Sequence, residues 1–285
     1  MAAVERWQEL ELQYARRLRQ SSRAERRALY AEAYSVVSEL RARTMPPDPE
    51  KRTAGTSKSL VKALARLLGP TDDVLEVGCG RGYTCLGLAP HARSIVGVDV
   101  STPALREAEQ LLRAHDIRNV AVRQVAGDEL TAAFPAAAFD VAVAIDVYEH
   151  LHPEDCRVTL QQIHAVLRPG GTCIVVTPNR IFGPHDITRV LYPEATEPLG
   201  FHLNETTYRE LLAAMREVGF GRFRTLRTMS RWSTWLWPRR LFGITYPAWV
   251  SVLCERAVTT WGAPAAGPLL AGIRLLGKKR GIRVP

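Results

Sequence analysis

The sequence lacks a Cys-x-x-Cys pair, a bilayer-length apolar run and an internal repeat, and it holds little lysine. Its five cysteines, Cys79, Cys85, Cys156, Cys173 and Cys254, are odd in number and scattered. That excludes a disulfide framework and a zinc knuckle. The apolar run 241–253 has only 13 residues before Glu255-Arg256, too few to span a membrane. Residues 1–10 carry Glu5, Trp7 and Glu9 with no apolar stretch, so no secretory signal is expected and the chain reads as cytoplasmic. Arginine outnumbers lysine 33 to 5, a compositional bias that by itself names no partner.

What is present is ordinary for a folded protein. The 285 residues are 46% hydrophobic and 24% charged, enough for one large domain or a domain with a smaller attachment. The net charge of +9 is unevenly spread. Residues 1–70 hold 14 Lys/Arg against 8 Asp/Glu, residues 71–220 hold 12 against 20, and residues 221–285 hold 12 against 1. An acidic middle separates a basic head from a strongly basic tail, so the overall charge does not signal nucleic-acid binding.

Residues 4–43 read as one helix. Leu10, Tyr14 and Leu18 recur at four-residue spacing, and Leu29, Ala33, Val36, Val37 and Leu40 continue the apolar face. Met45-Pro46-Pro47-Asp48-Pro49 ends it. After a short amphipathic helix at 57–68, strands at 74–77, 94–98, 120–125, 139–145 and 172–177 alternate with helices. A helix at 206–218 and a strand at 223–228 follow. The nearly all-apolar segment 139–145 suits a strand buried on both faces. This alternation predicts an α/β fold, a doubly wound and mostly parallel sheet with helices on both sides.

Gly78-Cys79-Gly80-Arg81-Gly82 lies between the first strand and a helix. Glycines there allow close backbone approach to a ligand, and the helix start offers free N–H groups. The dinucleotide fingerprint needs a third glycine where this chain has Tyr83, and Glu76 would repel a pyrophosphate but suits a cation. Asp99 ends the second strand, 21 residues after Gly78, where a carboxylate can accept both ribose hydroxyls. Asp128 and Asp146 follow the third and fourth strands. Four acids at four successive strand ends mark the carboxyl edge of the sheet as a ligand site.

Five segments carry a family resemblance: 74–82, 96–101, 127–129, 139–151 and 167–172. In this order they resemble the class I S-adenosylmethionine-dependent methyltransferases, over about residues 56–228. Glu149-His150-Leu151 and Thr177-Pro178-Asn179-Arg180 resemble the branch with ubiquinone-biosynthesis, small-molecule and sugar O-methyltransferases. The resemblance implies a seven-stranded Rossmann-like fold and S-adenosylmethionine as cofactor. Glu76, Gly78 and Gly80, with Cys79 in the same turn, would hold its methionine part. Asp99, with Val100 beside it, would hold the ribose. Asp128 and Glu129 would meet the adenine, and Ile145 and Asp146 would line the sulfonium side. The family's antiparallel seventh strand would fall in or after 223–228.

The implied organisation is a helical extension or lid at 1–55, the cofactor-binding domain at 56–228 and a basic tail at 229–285. The expected reaction is methyl transfer to a small-molecule or lipid-linked acceptor at oxygen. Methylation at nitrogen or carbon, and a cofactor-binding subunit without turnover, remain open. His150, then His185, then His202 are the candidate catalytic bases, since histidine titrates near neutral pH. Their spacing forms no ligand set, so no metal is expected. Five of the six tryptophans, Trp232, Trp235, Trp237, Trp249 and Trp261, lie among arginines in the tail. That pattern suits an anionic membrane surface, and equally a face packed on the core or between two copies in a homodimer. No recognisable nucleic-acid module is present.

Overall fold

The structure, a computed structural model, describes residues 2–44, 58–226, 245–261 and 272–280. The expected single N-terminal helix is two, α1 (Ala2–Gln20) and α2 (Arg23–Thr44). The break is local chemistry. The Glu25 carboxylate accepts from both the N–H (2.8 Å) and the hydroxyl (2.7 Å) of Ser22, starting a new helix at Ser22-Arg23. The chain folds back there, and Trp7, Tyr14, Ala15 and Leu18 pack with Leu29, Tyr30, Ala33 and Val37 and with Phe201 of a later loop. After α3 (Lys58–Ala65) the rhythm becomes strand–helix: β1 (Asp73–Val77), α4 (Tyr83–Leu88), β2 (Ser94–Asp99), α5 (Thr102–Ala114), β3 (Val120–Gln124), α6 (Leu130–Ala133), β4 (Phe139–Ile145), α7 (Pro153–Val166) and β5 (Leu167–Pro178). The remainder is α8 (Thr188–Leu191), α9 (Tyr208–Glu217), β6 (Phe220–Leu226), β7 (Thr245–Pro247), α10 (Ala248–Trp261) and β8 (Gly272–Lys279).

Among the described residues the sheet has eight strands in the order β3-β2-β1-β4-β5-β8-β6-β7. The first five are parallel, while β8 runs antiparallel to both β5 and β6. Connections reverse direction between β1 and β4, which opens a crevice at their carboxyl ends. β4 is buried along nearly its whole length, as its apolar run requires.

The strand at 223–228 is β6, and the antiparallel strand is β8, drawn from the basic end of the chain. A cofactor-binding unit closed at 228 would leave out the strand between β5 and β6. Ile273, Leu275 and Leu276 of β8 are buried in the core. The charged run that follows, Lys278-Lys279-Arg280, hides this short apolar pattern. Lys279 Nζ donates to Leu167 O at 2.7 Å, so it ties β8 to β5. The eighth strand, β7, is a short antiparallel addition to β6.

Of the tail tryptophans, Trp232, Trp235 and Trp237 lie outside the described residues. No described helix is long and apolar enough to cross a membrane.

Candidate active site

The turn after β1 is built by hydrogen bonding and by conformations that favour glycine. Gly78 and Cys79 both donate N–H to Val98 O, at 2.7 and 3.0 Å. Gly78 and Gly80 have φ of +72° and +49°, where a side chain is strained. A Cβ at Gly78 would lie 2.3 Å from Val147 Cγ2. Gly78→Ala should therefore push Val147 toward the crevice. The expected outcome is a loss of about 1–3 kcal/mol in stability, read in a denaturant titration, together with weakened nucleoside binding.

Asp99 locks the turn. Its Oδ2 accepts from Gly80 N–H and its Oδ1 from Ser101 N–H, both at 2.8 Å. A carboxylate offers about four lone pairs, so both oxygens keep capacity for a ligand's hydroxyls. Burial raises the Asp99 carboxyl above its ordinary range despite these bonds.

A cavity of about 210 Å³ lies at this edge, and Gly78, Asp99, Val100, Asp128 and Asp146 line it. The other expected contacts, Glu76, Cys79, Gly80, Glu129 and Ile145, are not in its lining. Glu76 is buried behind the turn, where Cys85 Sγ donates to its Oε2 at 2.8 Å. Burial pushes its carboxyl up to about 7. Ile145 is buried within β4, and Glu129 faces Arg27 at 2.9 Å.

The cavity's cover comes from α2, which supplies Arg23, Arg27, Tyr30 and Tyr34 to the lining. Sequence reasoning missed this set, although Tyr30 and Tyr34 stand one helical turn apart. Arg27 also pairs with Asp128 at 2.9 Å. The Tyr34 hydroxyl is buried and has no hydrogen-bond partner. The helix is pinned by Arg26, which is 2% exposed and donates to Asp155 Oδ2 at 2.7 Å. Arg26 also bonds Glu154, and Tyr30 donates to Asp155 at 3.0 Å.

Beyond Asp146 the three candidate histidines converge. His150 lines the cavity and meets Phe201 O through Nδ1 at 3.1 Å. Its ring lies edge-on to His202, with centroids 4.9 Å apart. His202 Nδ1 meets Glu205 Oε1 at 2.6 Å, and His185 Nδ1 meets Glu205 Oε2 at 3.2 Å. His185 thus joins the network through Glu205 and is not in the cavity lining. Burial lowers His150 to about 3, so it is neutral. Burial opposes charge on His202 as well, but the Glu205 bond and nearby Glu149 raise it above its ordinary value. Those bonds hold Glu205 down at about 2 against the effect of burial. Glu149 is 1% exposed and accepts from the Thr177 hydroxyl at 2.9 Å. Burial pushes it up to about 8, and Asp146 up to about 6.

Ligand-type atoms of Glu149, His150 and His202 lie within 4.8 Å of one another. The absence of ligand spacing in the sequence therefore does not carry over to the fold. His202 arrives on the loop after β5, which α1 clasps. Arg19 donates to the carbonyls of Pro198 (2.9 Å), Leu199 (3.0 Å), Gly200 (2.9 Å) and His202 (3.2 Å).

The family model described as a methyltransferase domain matches residues 37–221, which cover β1 to β5 and the whole carboxyl edge. The chain belongs to the methyltransferase family. A probable S-adenosylmethionine-dependent methyltransferase of Mycolicibacterium smegmatis is 34% identical over 149 residues, 52% of this chain and 51% of that protein. A ubiquinone biosynthesis O-methyltransferase of Psychrobacter cryohalolentis is 25% identical over 178 residues, 52% of this chain and 68% of that protein. The chain thus spans about half the length of the first of these relatives. Among solved structures, the 1,6-didemethyltoxoflavin-N1-methyltransferase of Burkholderia thailandensis aligns with a TM-score of 0.57 at 19% identity. The alignment covers 91% of each chain. At that identity the likeness concerns the methyltransferase fold. That enzyme was crystallised with S-adenosylhomocysteine.

Proposed function

We propose that the chain transfers a methyl group from S-adenosylmethionine to an oxygen of a small acceptor. The observation that supports this best is the set of groups gathered on one cavity. Asp99, beside the glycine turn, Asp128, Asp146 and His150 all line it, and His150 is in turn grouped with Glu149 and His202. A nucleoside lying across the turn would give its ribose to Asp99 and its adenine to Asp128. Its cationic sulfur would lie near Asp146, whose carboxylate favours positive charge.

In the reaction the acceptor oxygen bonds to the methyl carbon as the carbon–sulfur bond breaks. The bonding pair stays on sulfur, giving S-adenosylhomocysteine, and the acceptor's proton is given up at the histidine–carboxylate cluster. Holding acceptor and methyl in line supplies up to about 7–11 kcal/mol, and assisted proton removal adds about 10²–10⁴ in rate. The cavity, with α2 forming one of its walls, suits a small acceptor.

A lipid-linked acceptor is a second reading. Trp249 and Leu253, 62% and 52% exposed, stand one turn apart on α10 and would meet an apolar surface. Flotation with anionic liposomes tests it. Protein that floats no better with anionic than without any lipid contradicts it.

The main reading is tested with methyl-labelled donor and a panel of phenols, catechols, sugars, amines and carbon acids. Label on hydroxyl acceptors is expected. Label only on amines or carbon acids would overturn the oxygen assignment, and failure to bind S-adenosylhomocysteine would overturn the donor.

A further inference from the structure

Tyr30 and Tyr34 stand one turn apart on α2 and both line the cavity, yet their hydroxyls are used differently. The Tyr30 hydroxyl is engaged in the fold: it donates to Asp155 Oδ2 at 3.0 Å and accepts from His152 N–H at 2.7 Å. The Tyr34 hydroxyl is buried and, among the described residues, has no hydrogen-bond partner. A buried polar group left in that state weakens a fold, and a phenylalanine would fill the same space without the penalty. The Tyr34 ring meets His150 edge-on, with centroids 5.7 Å apart, and lies tilted against Phe201 at 5.0 Å. Burial raises the hydroxyl well above the ordinary tyrosine range, and Glu11, Glu149 and Asp99 act through space in the same direction. The group is therefore a neutral dipole among acids. On the donor reading above, Asp99 takes the ribose and His150 stands on the acceptor side. A hydroxyl beside His150 and within the field of Asp99 overlooks the stretch that joins them, where the donor's sulfur would lie.

We propose that the Tyr34 hydroxyl reads the charge on the donor's sulfur: its oxygen faces the sulfonium and the methyl group it carries, so that the protein prefers the charged donor to the neutral product. The inference rests on the donor reading above. A phenol hydroxyl rotates freely enough to turn its lone pairs toward a cation. The methyl hydrogens on a sulfonium are polarised by its charge, and a C–H···O contact to such an oxygen is weakly favourable. When the methyl leaves and the bonding pair stays on sulfur, the positive charge and the methyl vanish together, and the contact goes with them. The hydroxyl thus gains a partner from the methylated donor only. That asymmetry favours replacement of spent nucleoside by fresh donor after each turnover.

The test titrates the full chain, as wild type, Tyr34→Phe and Tyr30→Phe, with three nucleosides in a calorimeter. They are S-adenosylmethionine, S-adenosylhomocysteine, and sinefungin, in which an amine-bearing carbon replaces the sulfonium centre. Tyr34→Phe is expected to bind the two nucleosides charged at that centre about three- to tenfold more weakly, and S-adenosylhomocysteine as wild type does. It should also melt no lower than wild type, since the substitution removes an unpartnered buried hydroxyl. Tyr30→Phe, which loses the bonds to Asp155 and His152, should melt lower and keep the wild-type preference for the charged nucleosides. An unchanged preference in Tyr34→Phe overturns the proposal, as does equal weakening of all three ligands. In either case wild-type binding of S-adenosylhomocysteine leaves the donor reading standing. Wild-type protein that binds none of the three overturns the donor reading and this proposal with it.

Discussion

Asp99→Ala should all but abolish capture of S-adenosylhomocysteine, weakening it by about 100-fold or more. The Asp99 carboxylate is half-buried at the cavity wall, fixed by Gly80 and Ser101 N–H groups at 2.8 Å. Hydrogen bonds to a charged acceptor contribute about 1.5–3 kcal/mol each. Losing two ribose contacts is then worth about 3–6 kcal/mol, and each factor of ten in affinity is about 1.4 kcal/mol. The same substitution frees the Gly80 and Ser101 amides, so a moderate fall in melting temperature accompanies it. Asp99→Asn keeps one oxygen acceptor without the charge, and it should fall between wild type and alanine. Calorimetric titration of the three proteins decides the matter. Equal affinity in all three would remove Asp99 from the site.

Arg26→Ala should cost about 3–5 kcal/mol of stability, because it leaves the buried Asp155 without its closest cation, with the more exposed Arg23 still 3.6 Å away. Arg26 is among the largest fully buried side chains, and it joins α2 to the start of α7. Tyr30 donates to the same Asp155 oxygen and accepts from His152 N–H at 2.7 Å. Removing the guanidinium therefore loosens the segment that also presents Tyr34 and Arg27 to the cavity. The variant should melt roughly 10 °C lower and bind S-adenosylhomocysteine more weakly. Replacing both partners, Arg26→Met with Asp155→Leu, should recover a large part of the stability, since a buried ion pair is often replaceable by apolar contact. Unchanged melting in Arg26→Ala would show that α2 is not held in this way.

The parts of the site that were legible in the sequence are those made by short-range geometry. A parallel strand that ends in glycine or aspartate must place that residue at the carboxyl edge. Gly78, Asp99, Asp128 and Asp146 could thus be assigned to one cavity from strand ends alone. Orientation within the edge was less legible. Glu76 sits in the same motif, but its side chain turns to Cys85 behind the turn, a choice set by packing between β1 and α4. Contacts across long stretches of chain were not legible. His150 and His202 meet through a loop that Arg19 and Glu11 of α1 hold from one side and that the Asn204 N–H ties to Glu149 O at 2.9 Å, and Glu205 joins His202 to His185. Tyr34 carries no signal of its place in the sequence, since nothing local says what its helix covers. β8 was masked by charge, its three buried apolar residues running directly into lysines.

The most direct measurement is a crystal structure of the full chain with S-adenosylhomocysteine. The account predicts both ribose hydroxyls within hydrogen-bond distance of Asp99, the adenine toward Asp128 with Arg27 displaced or repositioned, and the sulfur facing Asp146 and His150. A nucleoside bound away from Asp99, or lying in the cavity with its sulfur toward Asp128, would contradict it.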